Sequence, residues 1–337
     1  MSFYIEGFVF KLPGIESPRT LQDVLASEHL KGQFDNYDAT KSLRKSRHLS
    51  VATKLFSSAA IKLLEQEKLA KQLAEQPERV GVFITGENVN LKDDFDFDLC
   101  AKTHGPDHVS PLQAPNTLAN VVGSHFARIS SIQGPNCTIS AGQHGVYHAM
   151  DMADLSLENK AIDTAIIGAV EVTSEYHRLL QPSLREVAVA AVIAQAGPSA
   201  AIVFYPPLMC TMPAICEQEM AQQIARQADK YRNRPQVDMV WLASGYDELE
   251  PDKFCTVLAA KNISQSVVLG ERLFGKGGPC NPMILACLAH EMLSDPTANW
   301  SLLAPAILGG QPKQIRSIAI VSYDQLSQAS TLIMAQR

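Results

Sequence analysis

Apolar residues recur along the 337-residue chain in two alternating rhythms. Ser50 to Glu67 (SVATKLFSSAAIKLLEQE) places them at helical spacing, which predicts a helix that runs on through the charged turns of Lys68 to Glu78. RVGVFITG (79–86) is a β-rich run ending in glycine and reads as a buried strand, while the N-terminal MSFYIEGFVF reads as a first strand. Asn116 to Ile129 is expected to be helical, NCTIS (136–140) a short strand leading through Gly142 into a helix of His144 to Leu155, and AIDTAIIGAVEV (161–172) another buried strand. VAVAAVIA (187–194) and AAIVFY (200–205) read as two strands buried on both faces. The second half repeats the idea: a helix of Gln218 to Tyr231, strand VDMVWLASG (237–245), a helix of Asp252 to Lys261, strand SVVLG (266–270), a helix of Pro282 to Leu293, and a closing pair, SIAIVSY (317–323) and STLIMA (330–335). Strands alternating with helices predict an α/β fold with largely parallel sheets.

Val187 to Cys216 carries no charged residue, so it is tested as a membrane span; Gly197-Pro198, Pro206-Pro207 and Pro213 break it into pieces too short to cross a bilayer as a helix. With 46% hydrophobic and 19% charged residues the chain can bury a large core, which excludes a disordered protein. Its length, about twice a usual domain, points to two domains or one fold of two halves. Twenty-nine basic against thirty-five acidic residues give a net charge of −6, with no basic block beyond that around Arg44, Lys45 and Arg47, so nucleic acid is not the expected partner. Seven cysteines (Cys100, Cys137, Cys210, Cys216, Cys255, Cys280, Cys287) form no CxxC pair and read as buried thiols of a reducing, cytoplasmic compartment. The N-terminus lacks the basic region of a signal peptide. His144 and His148, four apart, have metal-compatible spacing but no third ligand nearby, and they read as packed or hydrogen-bonding groups, as do His104 and His108. Neither GENVN (86–90) nor GKGG (275–278) has the spacing of a phosphate loop, and no cofactor is expected.

The segment GPNCTISAGQHGVYHAMDMA (134–153) resembles the nucleophile segment of β-ketoacyl synthases, the thiolase-fold condensing enzymes. There a cysteine sits at a strand-to-helix turn, where the helix N-terminus lowers a thiol pKa and offers N–H groups to an oxyanion. Nine residues beyond Gly134, at the cysteine's place, stands Gln143. VDMVWLASGYDELEPDKF (237–254) is similar to the segment carrying the family's first catalytic histidine, with Ala243 and Gly245 matching and Ser244 in the histidine's place. FGKGGPCNPMILACLA (274–289) is similar to the segment of the second histidine; Gly275 matches and Lys276 replaces it. SYDQLSQASTLIMA (322–335) aligns with a C-terminal glycine-rich segment whose glycines have become Asp324, Gln325, Leu326 and Ser327. A glutamine amide forms no thioester, a serine has no useful pKa, and a lysine lacks imidazole geometry, so condensation is not expected of this chain alone.

The resemblance implies a five-layered αβαβα thiolase-like fold of two similar halves with trimmed loops. Residues 1–205 would supply the dimer surface and the degenerate nucleophile, and 206–337 the degenerate histidine positions. Only about ten residues separate GAVEVTSE (168–175) from REVAVAAVI (185–193), where a longer active-site loop is expected; Glu186 keeps the place of that loop's acidic residue. In loading-type synthases with this glutamine both histidines remain; in chain-length factors of type II polyketide systems they are lost, as here. The chain is therefore similar to a non-catalytic chain-length factor, in condensed form most like those of aryl polyene pathways. The implied partners are a ketosynthase with an intact Cys-His-His set, in a heterodimer, and an acyl carrier protein met mainly through that partner. The stretch LRKSRH (43–48) reads as a solvated face, with carrier-protein steering as the functional alternative. Leu118 and Val122, expected on one helix face, would floor the acyl tunnel with Cys137, Ile139 and Gln143 at the interface. A malonyl-carrier-protein decarboxylase or divergent acyltransferase using Gln143, Ser244 and Lys276, and a homodimeric scaffold, are the rival readings.

Overall fold

Side chains alternate across a strand, so a strand buried on both faces must serve two cores, and those of this protein do. The computed structural model describes residues 2–12, 15–16, 20–26, 48–87, 89–180, 183–211, 216–230, 236–244, 250–264, 266–295, 297–310, 314–324 and 328–337. Its first half comprises β1 (Phe3–Leu12), β2 (Ile15–Glu16), α1 (Leu21–Ala26), α2 (Val51–Ala60), α3 (Glu67–Glu75), β3 (Val80–Thr85), α4 (Leu91–His104), α5 (Val121–Ile129), β4 (Asn136–Ile139), α6 (Gly145–Glu158), β5 (Thr164–Glu171), α7 (Glu175–Leu180) and β6 (Val187–Gln195). The second comprises β7 (Ile202–Thr211), α8 (Glu217–Asp229), β8 (Met239–Ser244), α9 (Pro251–Ala260), β9 (Ser266–Leu269), α10 (Gly270–Phe274), α11 (Cys280–Ser294), β10 (Ile307–Gly309), β11 (Ser317–Tyr323) and β12 (Gln328–Gln336).

The strand order is β10-β9-β8-β11-β12-β7-β1-β6-β5-β3-β4. Leaving out the short β2 and β10, each half has five strands in the spatial order third, second, fourth, fifth, first, with the fifth antiparallel to both neighbours. The halves are thus two copies of one topology, and they meet where β1 pairs β7 at a single position, Phe3 opposite Phe204. Those two rings stack at 5.3 Å between centroids.

Burial divides into three cores that define five layers. Val187, Val189, Ala191 and Ile193 of β6 join a middle core with α6, α11 and Trp241 and Ile320 of the second half, whereas Ala188, Ala190 and Val192 face an outer core under α2 and α5. Val240 and Leu242 of β8 face the third core under α8 and α9. Helix α11 lies in the middle layer and buries residues around its whole circumference, Cys280 through Ala289 without interruption.

Several expectations need correction. The helix from Ser50 does not run through: α2 gives way to a 3-10 stretch, and Gln66 takes extended dihedrals (φ −72°, ψ 120°) before α3 begins. The helix drawn from Asn116 is a 3-10 turn, 114–117, followed by Leu118 in extended backbone and only then α5. Pro206-Pro207 does not end the second uncharged strand, because β7 continues to Thr211 with a register shift against β12 between Thr331 and Ile333, and a bulge tolerates residues without an N–H. Gln227 and Gln223 donate to the carbonyls of Pro206 and Leu208 and secure the bulge (3.0 and 3.1 Å). Residue 205 therefore lies inside β7. Of the seven cysteines only Cys280 and Cys287 are fully buried; the other five are half-buried, and all are free thiols. Residues 43–47 of the basic stretch lie outside the described residues, as do 245–249 and 325–327.

The stacked pair at the junction yields a stability prediction. Phe204→Ala removes a fully buried ring and is expected to cost about 3–5 kcal/mol, with a double-mutant cycle against Phe3→Ala coupling the two, as read from urea unfolding.

Candidate functional site

Parallel strands present their C-terminal ends to the helices that follow, and in this fold the ends of β4, β8 and β11 meet the starts of α6 and α11. After β4 the chain turns through Gly142, whose φ of +49° admits glycine readily, into a 3-10 turn of 142–144 that feeds α6. Gln143 sits in this turn, and its amide Nε2 donates to the carbonyl of Tyr323 at the end of β11 (2.8 Å). One turn on, Tyr147 Oη meets Ser322 Oγ at 3.0 Å. Ser322 pairs in register with Ser244, the last residue of β8. Ser244 is buried, and among the described residues no group hydrogen-bonds its hydroxyl.

Asn281, in the first turn of α11, joins the third position to the other two. Its Nδ2 donates to the carbonyls of Ala243 (3.2 Å) and Gly275 (3.0 Å), and its Oδ1 accepts from the N–H of Gly277 (3.1 Å). The loop bearing Lys276 is thereby fastened to the end of β8. From the opposite side the N–H of Arg185 donates to the carbonyl of Lys276 (2.8 Å). Gln143, Ser244 and Lys276, 101 and 32 residues apart in sequence (244 − 143 and 276 − 244), are gathered at one locus.

The electrostatics there oppose nucleophilic chemistry. Cys280 is fully buried and its thiol is pushed well up by burial, with Glu171 adding to the effect, so it stays protonated. Burial also raises the carboxyls of Glu87 and Glu186, the latter accepting a bond from Thr173. Gln143 is an amide bound to a backbone carbonyl. Among the described residues no group of three or more His, Cys, Asp or Glu is arranged to hold a metal, and no helix is long and apolar enough to cross a membrane.

The expected tunnel residues are only partly brought together. Cys137 and Ile139, on the edge strand β4, are half-buried and pack against the middle core. Val122 is fully buried in the outer core, while Leu118 is 56% exposed in the extended link before α5. The two share no helix face, because the residues between them turn instead of coiling; the α-helix starts at Val121. Sequence reasoning missed Met152 and Leu155, exposed on α6 beside β4, and it read Asp324 only as a lost glycine. In the structure Asp324 Oδ2 lies 3.3 Å from Nε2 of the buried His144. The loop shortened between Glu175 and Arg185 is in part helical, forming α7.

The model of the β-ketoacyl synthase N-terminal domain matches residues 14–186, about half of the chain, and the protein belongs to that family. No curated protein matches it. Solved structures do. A chain of the ishigamide ketosynthase/chain length factor superposes with a TM-score of 0.76 at 15% identity, covering 100% of this chain and 99% of the other. The type II polyketide synthase assembly AntDE:AntF, an acyl-carrier protein in complex with its ketosynthase bound to the hexaketide, gives 0.76 at 14% identity over 100% and 99%. The ketosynthase ApeO in complex with its chain length factor ApeC from Xenorhabdus doucetiae gives 0.69 at 14% over 100% and 98%. These likenesses show the thiolase-like ketosynthase fold across the entire chain.

Asn281 is the residue whose loss should loosen the site. Asn281→Ala strands two buried carbonyls and an N–H, and is expected to cost about 2–4 kcal/mol in chemical denaturation while leaving the far β10 edge unchanged in hydrogen exchange.

Proposed function

We propose that this protein is the non-catalytic chain-length factor of a type II polyketide system, working in the cytoplasm. The observation that carries the reading is the simultaneous replacement of the three reactive positions by Gln143, Ser244 and Lys276 on a scaffold otherwise kept whole. Its partner is a ketosynthase with an intact Cys-His-His set, and it meets an acyl carrier protein chiefly through that partner. The condensed loop between α7 and β6 supports the finer placement with aryl polyene factors. Residues 1–205 supply the partner-facing half and 206–337 the half with the lost histidine positions.

The joining surface follows from the sheet. β4 is an edge strand of four residues, and its outer side has no partner strand among the described residues. Beside it α6 exposes Met152 and Leu155, and the chain ahead of α5 exposes Leu118. An unpaired edge flanked by apolar side chains is a surface to be covered, and a strand of the ketosynthase continues the sheet there. Cys137, Ile139 and Leu118 then stand nearest the partner's acyl tunnel, with Val122 in the layer behind. Against the rival decarboxylase reading, Gln143 is engaged with Tyr323 and Ser244 is buried.

Two measurements test this. Supplied with malonyl- and acyl-carrier protein, the chain alone should release no carbon dioxide and form no condensation product, and Gln143→Cys should restore neither; turnover in that variant would overturn the site assignment. Co-expressed with its cognate ketosynthase it should give a 1:1 complex burying about 2,000 Å² or more, in which Leu118→Trp shortens the product and moves its absorption to shorter wavelength. A monomer that ignores the ketosynthase on a sizing column refutes the proposal.

A further inference from the structure

Most helical stability in a protein comes from packing, and an isolated helix shorter than about 12–15 residues is marginal in water. Helix α4 has fourteen residues, and none of them is buried among the described residues. At about 100° per residue, Phe95 and Leu99 stand one turn apart at the centre of its outward face. They are 51% and 58% exposed. Two ion pairs flank them: Lys102 bonds Asp98 on one side, and on the other Lys92 lies 3.0 Å from Asp96 and 2.7 Å from Glu175 of α7. The Phe95 ring stacks on Tyr176 of α7 at 4.4 Å between centroids, and Tyr176 Oη donates to Asp96 Oδ1 (3.3 Å). An apolar pair whose neighbouring lysines are already paired can be covered without stranding a charge. Apolar anchors inside a polar rim are how interface hot spots are built.

The helix adjoins the surface assigned above to the ketosynthase. Asn90, which precedes α4, donates through Nδ2 to the carbonyl of Thr117 (2.7 Å), the residue before Leu118. Helix α4 packs against the 3-10 turn of 114–117, and that turn packs against α5 beside β4. Nine large apolar residues are exposed among the described residues; six of them, Phe95, Leu99, Leu112, Leu118, Met152 and Leu155, belong to α4, to the link between α4 and α5, and to α6. Such crowding marks one surface, where single exposed residues would be scattered. Size argues the same way. A standard interface takes roughly 20–30 residues from each partner, and the four residues of β4 with Leu118, Met152 and Leu155 fall well short of that. The fourteen residues of α4 bring the face into range.

We propose that α4 is a docking helix for the ketosynthase, with Phe95 and Leu99 entering an apolar groove on that partner and the Lys102–Asp98 and Lys92–Asp96 pairs closing the rim. The inference rests on the chain-length-factor reading for the partner's identity, and it adds a second contact to the strand pairing at β4. The two contacts do different work. An open strand edge offers main-chain hydrogen bonds that any strand can make, whereas side chains fitted to pockets discriminate, so α4 selects the cognate ketosynthase over others. A helix that gains its packing from the partner is also ordered by assembly.

The test uses the full chain, alone and in its complex with the cognate ketosynthase. Hydrogen exchange read by mass spectrometry is expected to show rapid exchange of the amides of 91–104 in the chain alone and at least about 10-fold slower exchange in the complex. Phe95→Ala should weaken the complex at least about 10-fold and Leu99→Asp at least about 100-fold in surface plasmon resonance. Both variants should keep the wild-type melting temperature, since neither side chain is buried in its own chain. Unprotected α4 amides in the complex, or wild-type affinity in both folded variants, overturn the inference and leave the chain-length role standing. Protection already present in the monomeric chain overturns it by placing the cover within this chain, and protection that appears with self-association does so by making the occupant a second copy. A wild-type chain that does not bind the ketosynthase overturns both readings. Should the variants fail to fold, the exchange of the wild-type protein decides alone.

Discussion

Everything in this molecule hangs on how two copies of one five-strand topology are joined. The junction is narrow: a single register pair between β1 and β7, closed by the stacked rings of Phe3 and Phe204. A ribbon of strands hinged at one point can fold over so that both halves contribute an inner face to the same core, and α6 and α11 fill the space between them. Once these two helices occupy the middle layer, their N-termini come together at the ends of β8 and β11. The convergence of Gln143, Ser244 and Lys276 is thus a result of architecture.

The strand ends and turns at this locus bury polar backbone, and that backbone must be satisfied. Side chains of the same locus take up the task. The Gln143 amide caps a carbonyl of β11, Asn281 takes up two carbonyls and an N–H, and Tyr147 pairs with Ser322. These contacts tie the turn before α6 and the start of α11 to the ends of β8 and β11 and to the 275–277 loop. Asp324, just past the end of β11, places a carboxylate oxygen 3.3 Å from the ring of His144.

The elements with apolar rhythm were legible in the sequence. Buried strands such as 187–194 and 317–323, and the helix from His144, declare themselves because burial on both faces or on one stripe dictates composition. The segment that became α4 did not, since it buries no residue and has no apolar stripe to read. Its signals are at its ends instead: Asp93 and Asp94 in the first turn, Lys102 and His104 in the last, and Gly105 with φ +95° as the stop. Leu118 was misplaced for a related reason, because periodicity continues through a link that the backbone does not. Gln143, Ser244 and Lys276 were singled out by motif spacing alone. The pairing of His144 with Asp324 and Ser330 was not, since nothing in a sequence announces a contact across 186 residues.

The uncharged stretch from Val187 to Cys216 has a consequence for the nascent chain. Thirty residues without a charge (216 − 187 + 1), rich in valine, alanine and isoleucine, are the raw material of cross-β aggregation whenever they are exposed together. Pro206 and Pro207 interrupt that template with two positions that cannot donate to a neighbouring strand, and β6 and β7 end up on opposite sides of β1 instead of against each other. The bulge that looks like a flaw in β7 is therefore the kind of interruption that protects such a stretch, and β1 lies between the two uncharged strands in the sheet.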